Sequence, residues 1–254
     1  MTEYLNREFL FGSYPQAPVT DRSLRGRLAE LGGDSAGWEE LNPKRLFRDL
    51  TVSGERYRGL TGGGAPQWFR FAPVRWRAVG RESRSLFLRA VHILDAQVFN
   101  RAVIRSRTEN GLVWYSCPFT GSRGHLEEIA ADLSDAGVPP ANCFAGSCLD
   151  SWLQVSFRKA AFSDALALIP ADGSAAIPCR TESLMIEGPQ TRRFPAARIG
   201  ETVCLTPYAA AAGCESPHCW YADGNEAPEG EGIRMSGDPC EIAGVQPVLQ
   251  VYLF

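Results

Sequence analysis

The stretch from Trp68 to Val79 limits what this chain can fold into more than any other. Phe69, Phe71 and Pro73 alternate with Arg70 and Ala72, and beyond Pro73 the pattern restarts with Val74, Trp76 and Ala78 against Arg75 and Arg77. A period of two sends successive side chains to opposite faces, so this segment belongs in a sheet with one face on a core. Residues 47–60 read as strand as well. Ser85–Leu94 is a further, more buried strand, and residues 245–254 supply a last one, in which Pro247 demands an edge or a strand start. Between the first two blocks, Gly62-Gly-Gly-Ala-Pro66 is a hairpin loop, not a domain linker.

The helices are short. Leu24, Leu28 and Leu31 share one face of a helix over residues 20–31, ended by Gly32-Gly33. Residues 122–136 give a second helix, with Ser122 at its cap and Gly137 at its end. Ser147 caps a third, with Asp150 three residues on and a stripe of Leu149, Trp152, Leu153, Ser156 and Phe157 behind it. Thr206-Pro207 opens a fourth and Gly213 stops it. Residues 222–244 carry Gly, Pro, Asp and Glu without periodicity, a long loop of the sort that is functional or disordered. The expected architecture is a single α+β domain over residues 1–254, of twisted antiparallel sheets with a few short helices and long C-terminal loops. The N-terminal region, residues 1–64, is integrated with the core.

At 44% hydrophobic and 22% charged residues, a chain of 254 has material for one sizeable core. A net charge of -3 gives no general attraction to nucleic acid or an anionic membrane, and neither is expected as a partner. No apolar run approaches the ~20 residues that span a bilayer. Met1–Leu10 lacks the charged and apolar regions of a secretory signal, so the expected location is cytoplasmic, with export by another route as the alternative. The eight cysteines then read mainly as buried thiols. Only three histidines, His92, His125 and His218, are present to serve as bases. There is no Gly-x-Ser-x-Gly elbow, and Gly62–Gly64 lacks the Lys-Ser/Thr of a phosphate loop. No catalytic residue, metal or cofactor is assigned.

Several blocks occur in a recognisable order: Leu10-Phe-Gly-Ser-Tyr-Pro-Gln16, Phe47–Arg58, Trp68–Val79, Ile93-Leu-Asp-Ala-Gln-Val-Phe-Asn100, Trp152-Leu153 with Phe157 and Ala161-Phe162, Thr206-Pro-Tyr-Ala209 and Gly244–Leu249. Together they resemble the bacterial family called domain of unknown function 6273, from about residue 10 to residue 250. The resemblance implies a C-type-lectin-like fold, in which N- and C-terminal strands meet and long loops carry the binding surface. It implies no activity. The sequence departs from the family pattern at Gln246, where relatives often have Arg, and at Cys219-Trp-Tyr-Ala-Asp223, where they carry a Trp-Trp-x-Arg-Ser run.

The leading functional expectation is a non-enzymatic recognition domain that binds a protein or carbohydrate through residues 213–244. Trp220, Tyr221, Asp223, Asn225 and Arg234 are its candidate ligand-binding residues, an aromatic pair flanked by polar groups. The plainer alternative makes Trp220 a plug for the core beneath the loop. A second expectation, from a different class, is an enzyme or metalloprotein centred on Cys204, Cys214, His218 and Cys219. These are soft ligands suited to zinc, and Cys214 and Cys219 are stand-ins for the cysteine pair of the formylglycine-generating enzyme, which shares the C-type-lectin-like fold. Adjacent His218 and Cys219 cannot easily face one ion, and the flanking residues do not match that enzyme.

Overall fold

The computed structural model describes residues 4–34, 36–101, 103–108, 111–116, 144, 147–163, 167–186, 204–214 and 240–254. Strands dominate it, with a few short helices. The long strand β5 (Gln67–Glu82) is the organiser. Along one edge it pairs with β1 (Glu8–Pro18). Its other edge is shared: residues 67–70 pair with β4 (Glu55–Thr61), and residues 76–82 pair with β6 (Ser85–Ala90). Pro73 falls in the stretch between, where β4 has ended and β6 has not begun. A residue without an N–H loses nothing on that edge. The restart of alternation after Pro73 marks this division.

The second half of β5 closes a barrel. From β6 the sheet continues through β13 (Pro247–Leu253), β11 (Ile177–Ile186) and β10 (Ala167–Pro170) to β1, which returns to β5, all antiparallel. Closure removes the exposed edges that an open sheet must protect. Ala78, Leu88, Leu249 and Leu184 form one cross-strand row and are all buried inside it. Pro247 is the first residue of β13, as a strand start allows, yet β13 is central. The two terminal strands share the barrel without pairing. β10 and β11 stand between them on one side, β5 and β6 on the other. The direct meeting implied by the family resemblance is therefore replaced by membership of one ring.

The first half of β5 carries a wing: β4, then β3 (Arg45–Val52) and β2 (Glu39–Asn42). Residues 47–60, one block in the alternation, are a hairpin turning at Ser53-Gly54, both with positive φ. Helix α1 (Arg22–Gly32), capped by Asp21, covers one face of the wing and buries Leu28 against Val52, Tyr57 and Trp68. Leu31, expected on that apolar face, is exposed instead, because the face ends where Gly32 meets the ring of Trp68.

A continuous helical run packs on the opposite side. It comprises α2 (Cys148–Trp152), a π-turn (Leu153–Phe157) and α3 (Arg158–Phe162), with Ser147 capping it through the Asp150 N–H at 3.0 Å. Leu149, Leu153, Phe157, Ala160 and Ala161 face inward. Ser156, expected in that stripe, is exposed: the wider π-turn shifts the phase of the side chains it contains. Phe157 packs on Tyr14 and Phe162 on Phe11. The short helix α4 (Pro207–Ala211) has the expected Thr206 cap, donated to by Ala209 N–H at 3.1 Å. Two ribbons stand apart from the main sheet: β7 (Asp95–Val98) with β12 (Ile242–Val245), and β8 (Val103–Thr108) with β9 (Gly111–Ser116). Among the described residues, no helix is long and apolar enough to cross a membrane.

Candidate functional site

Four strands and one helix each send a polar side chain into a buried cluster where barrel and wing meet. Tyr14 reaches it because β1 changes phase. Phe11 and Gly12 together oppose Val74, so Phe9, Phe11 and Tyr14 all face inward although their spacing is not uniform. The Tyr14 hydroxyl donates to the carboxylate of Asp95, the first residue of β7. Asp95 Oδ1 also accepts from the Ala96 N–H at 2.6 Å and from Gln97 Nε2 at 3.3 Å. Arg58 of β4 donates through Nε and Nη2 to both oxygens of Asp49 on β3, at 2.6 and 2.7 Å. Its Nη1 donates to the Tyr14 hydroxyl at 3.3 Å and to Tyr208 of α4 at 3.5 Å. The Phe47 ring lies under the guanidinium at 4.4 Å.

The electrostatics follow from burial. Loss of hydration pushes the Asp95 carboxyl up to about 6, against the lowering pull of the Tyr14 and Ala96 hydrogen bonds and of Arg58. Burial, followed by the nearby Asp95 charge, raises the Tyr14 and Tyr208 hydroxyls well above their usual range, which keeps both as donors at neutral pH. Asp49 is the solvent-facing end of the network. Each described polar group in it is engaged by another, so the cluster's chemistry is positioning: it holds β1, β3, β4, β7 and α4 in one arrangement.

Asn42, fully buried on β2, extends the arrangement. Its Nδ2 donates to Ala96 O and Ala212 O, at 2.8 and 2.9 Å, and its Oδ1 accepts from the Lys44 N–H at 3.0 Å. Asn42→Ala leaves two interior carbonyls without that donor. The expected loss of unfolding free energy is about 2 kcal/mol, measured by urea titration. A change within experimental scatter would show that those carbonyls find other donors.

The residues that flank the β7–β12 ribbon hold the ends of three segments of the chain. Residues 102–146 leave and return beside Phe99 and Asn100: Phe99 O accepts from Leu149 N–H at 3.1 Å, and Asn100 Oδ1 from Cys148 N–H at 3.2 Å. Residues 187–203 start after Ile186, opposite Pro247, and end at Cys204, whose carbonyl accepts from Ile93 N–H at 3.2 Å. Residues 215–239 start just past Gly213, where an added Cβ would lie 3.8 Å from Ile242, and end just before β12.

Trp220, Tyr221, Asp223, Asn225 and Arg234 lie outside the described residues, as do His125, His218, Cys219 and the helix expected over 122–136. Cys204 is exposed before α4 and Cys214 is buried after it. Among the described residues no group of three His, Cys, Asp or Glu side chains is placed to hold a metal ion. His92 is half-buried beyond the end of β6, which stops at Ala90 instead of continuing to Leu94. Cys179 is buried in β11, and loss of hydration pushes its thiol up to about 11, so it stays protonated and unreactive near neutrality. Arg75 and Arg77, which alternate with the buried residues of β5, both pair with Glu8, at 3.3 and 3.0 Å. Gln246 is buried and donates to Ala90 O at 2.8 Å. Sequence reasoning missed the buried cluster. The signal was there in polar residues set among apolar neighbours, Tyr14 after Leu-Phe-Gly-Ser and Asp95 after Ile-Leu.

No family model, curated protein or solved structure matches this chain.

Proposed function

We propose that this chain is a non-enzymatic recognition domain of C-type-lectin-like type, related to the domain of unknown function 6273 family, which binds a protein or carbohydrate through residues 213–244. The observation that carries this reading is that three long segments begin and end at residues flanking one ribbon, itself locked to a closed barrel by buried polar groups. Binding residues are commonly displayed in this manner, on loops that a rigid scaffold positions. Trp220 and Tyr221 are the anchors and Asp223, Asn225 and Arg234 the polar contacts. An aromatic pair flanked by amide, carboxylate and guanidinium groups suits a protein epitope first and a sugar face second.

The test screens the full chain against a displayed protein library and a glycan array, then repeats the winning interaction with Trp220→Ala/Tyr221→Ala. The expected result is a urea midpoint like that of the parent and at least a tenfold weaker interaction, the loss typical of a truncated hot spot at about 1.4 kcal/mol or more. If the double variant fails to fold, Trp220 is a core plug and the reading is lost. Stoichiometric zinc in purified protein, with no binder found, would favour the cysteine-centred alternative.

A further inference from the structure

We propose that Asp95 is a proton-responsive clasp that holds the β7–β12 ribbon to the barrel and grips more firmly when its carboxyl is protonated. Charge is unbalanced in the cluster. The cluster contains two carboxylates, Asp49 and Asp95, and a single guanidinium, Arg58. Asp49 takes both prongs of that guanidinium and faces water as well. Asp95 is fully buried and meets Arg58 only across the Tyr14 hydroxyl. With both carboxylates ionised the cluster therefore carries one uncompensated negative charge, and Asp95 is where it resides. Taking up a proton there removes the imbalance.

The groups facing Asp95 are Tyr14 from β1, Arg58 from β4 with Asp49 of β3 behind it, Tyr208 from α4, and Gln97 and the Ala96 N–H from β7. None of them supplies a second positive charge. Asp95 stands opposite Val245 in the ribbon, and Leu94 N–H donates to Val245 O at 2.9 Å, so its backbone is tied to β12 while its carboxyl is tied to Tyr14 of β1, and opening the ribbon away from the barrel parts the carboxyl from Tyr14.

The direction follows from linkage. Burial raises the closed-state carboxyl to about 6 from an ordinary 3.8, so the closed state binds the proton more tightly than the open one. The stabilisation is complete below about pH 4 and is lost as pH rises through about 6. Ribbon opening should accordingly be about tenfold rarer near pH 5 than near pH 7.5. The device belongs to the frame and is independent of what the loops bind.

Hydrogen–deuterium exchange of the full chain tests it, read at residues 95–98 and 242–245 and corrected for intrinsic exchange rates. The parent should show about tenfold greater protection near pH 5, and Asp95→Asn equal protection at both values. His92 lies three residues before Asp95, and the Asn variant retains it, so a response surviving in that variant overturns the proposal. A parent with no pH response overturns it too. Should Asp95→Asn not fold, Tyr14→Phe keeps the carboxyl but removes a hydrogen bond that favours its ionised form. The midpoint must then move to higher pH, and an unmoved midpoint counts against the clasp.

Discussion

Arg58→Met is expected to lower the free energy of unfolding by about 3–5 kcal/mol near pH 7.5, the range for breaking a buried ion pair by removing one partner. Methionine conserves most of the volume over Phe47, so little of the loss comes from packing. Asp49 is partly exposed and can return to water, which makes the lost Arg58–Asp49 attraction the smaller contribution. The larger one arises inside. Asp95 keeps its buried charge with no cation in the cluster, and the Tyr14 and Tyr208 hydroxyls lose a donor. Part of the deficit should return as pH falls and Asp95 takes up a proton. The double variant Arg58→Met/Asp95→Asn should recover stability at neutral pH for the same reason. Urea titrations at the two pH values make the comparison. A single-variant loss under about 1 kcal/mol would mean that the cluster is no more than a surface ion pair.

The parts of this fold that could be read in the sequence are those decided within a few residues. The Ser147 and Thr206 caps, the 62–66 hairpin and Pro247 as a strand start rest on local chemistry and are where the residues place them. Barrel closure rests on something else. Alternation tells which side of β5 is buried, but not that β5 pairs with β1 along one edge and with β4 and β6 along the other. The cluster was hidden by the same distance. Tyr14 and Asp95 are 81 positions apart and Arg58 and Tyr208 are 150 apart, so no local pattern joins them. Each sits in a different block of the resemblance, and those blocks name neighbours in sequence but not in space. Two helix residues were misplaced by assuming regular spacing. Ser156 followed ordinary helical spacing through what is a π-turn, and Leu31 followed it past the end of the apolar face.

Gly12→Ala is expected to be the most damaging added methyl among the described glycines, lowering the unfolding free energy by about 3–5 kcal/mol through two additive effects. Gly12 has φ +68, a conformation that side chains resist, and the bulge it forms sets the phase that turns Tyr14 inward. It also sits where α3 touches β1. A Cβ there would fall 2.4 Å from Ala161 O and 2.6 Å from a ring carbon of Phe162. The ring could rotate, but the carbonyl belongs to the helix backbone, so relief requires α3 to lift from the barrel. That movement would loosen Phe157 against Tyr14 and carry the damage into the polar cluster. Gly54→Ala separates the two effects. Gly54 has φ +83 in the Ser53-Gly54 turn with nothing near its added Cβ, so it bears the conformational penalty alone, about 1 kcal/mol. Urea titration of both variants should show the Gly12 loss to be severalfold larger. If the two losses are equal, α3 does not press on β1 at this point, and the inward turn of Tyr14 needs another cause.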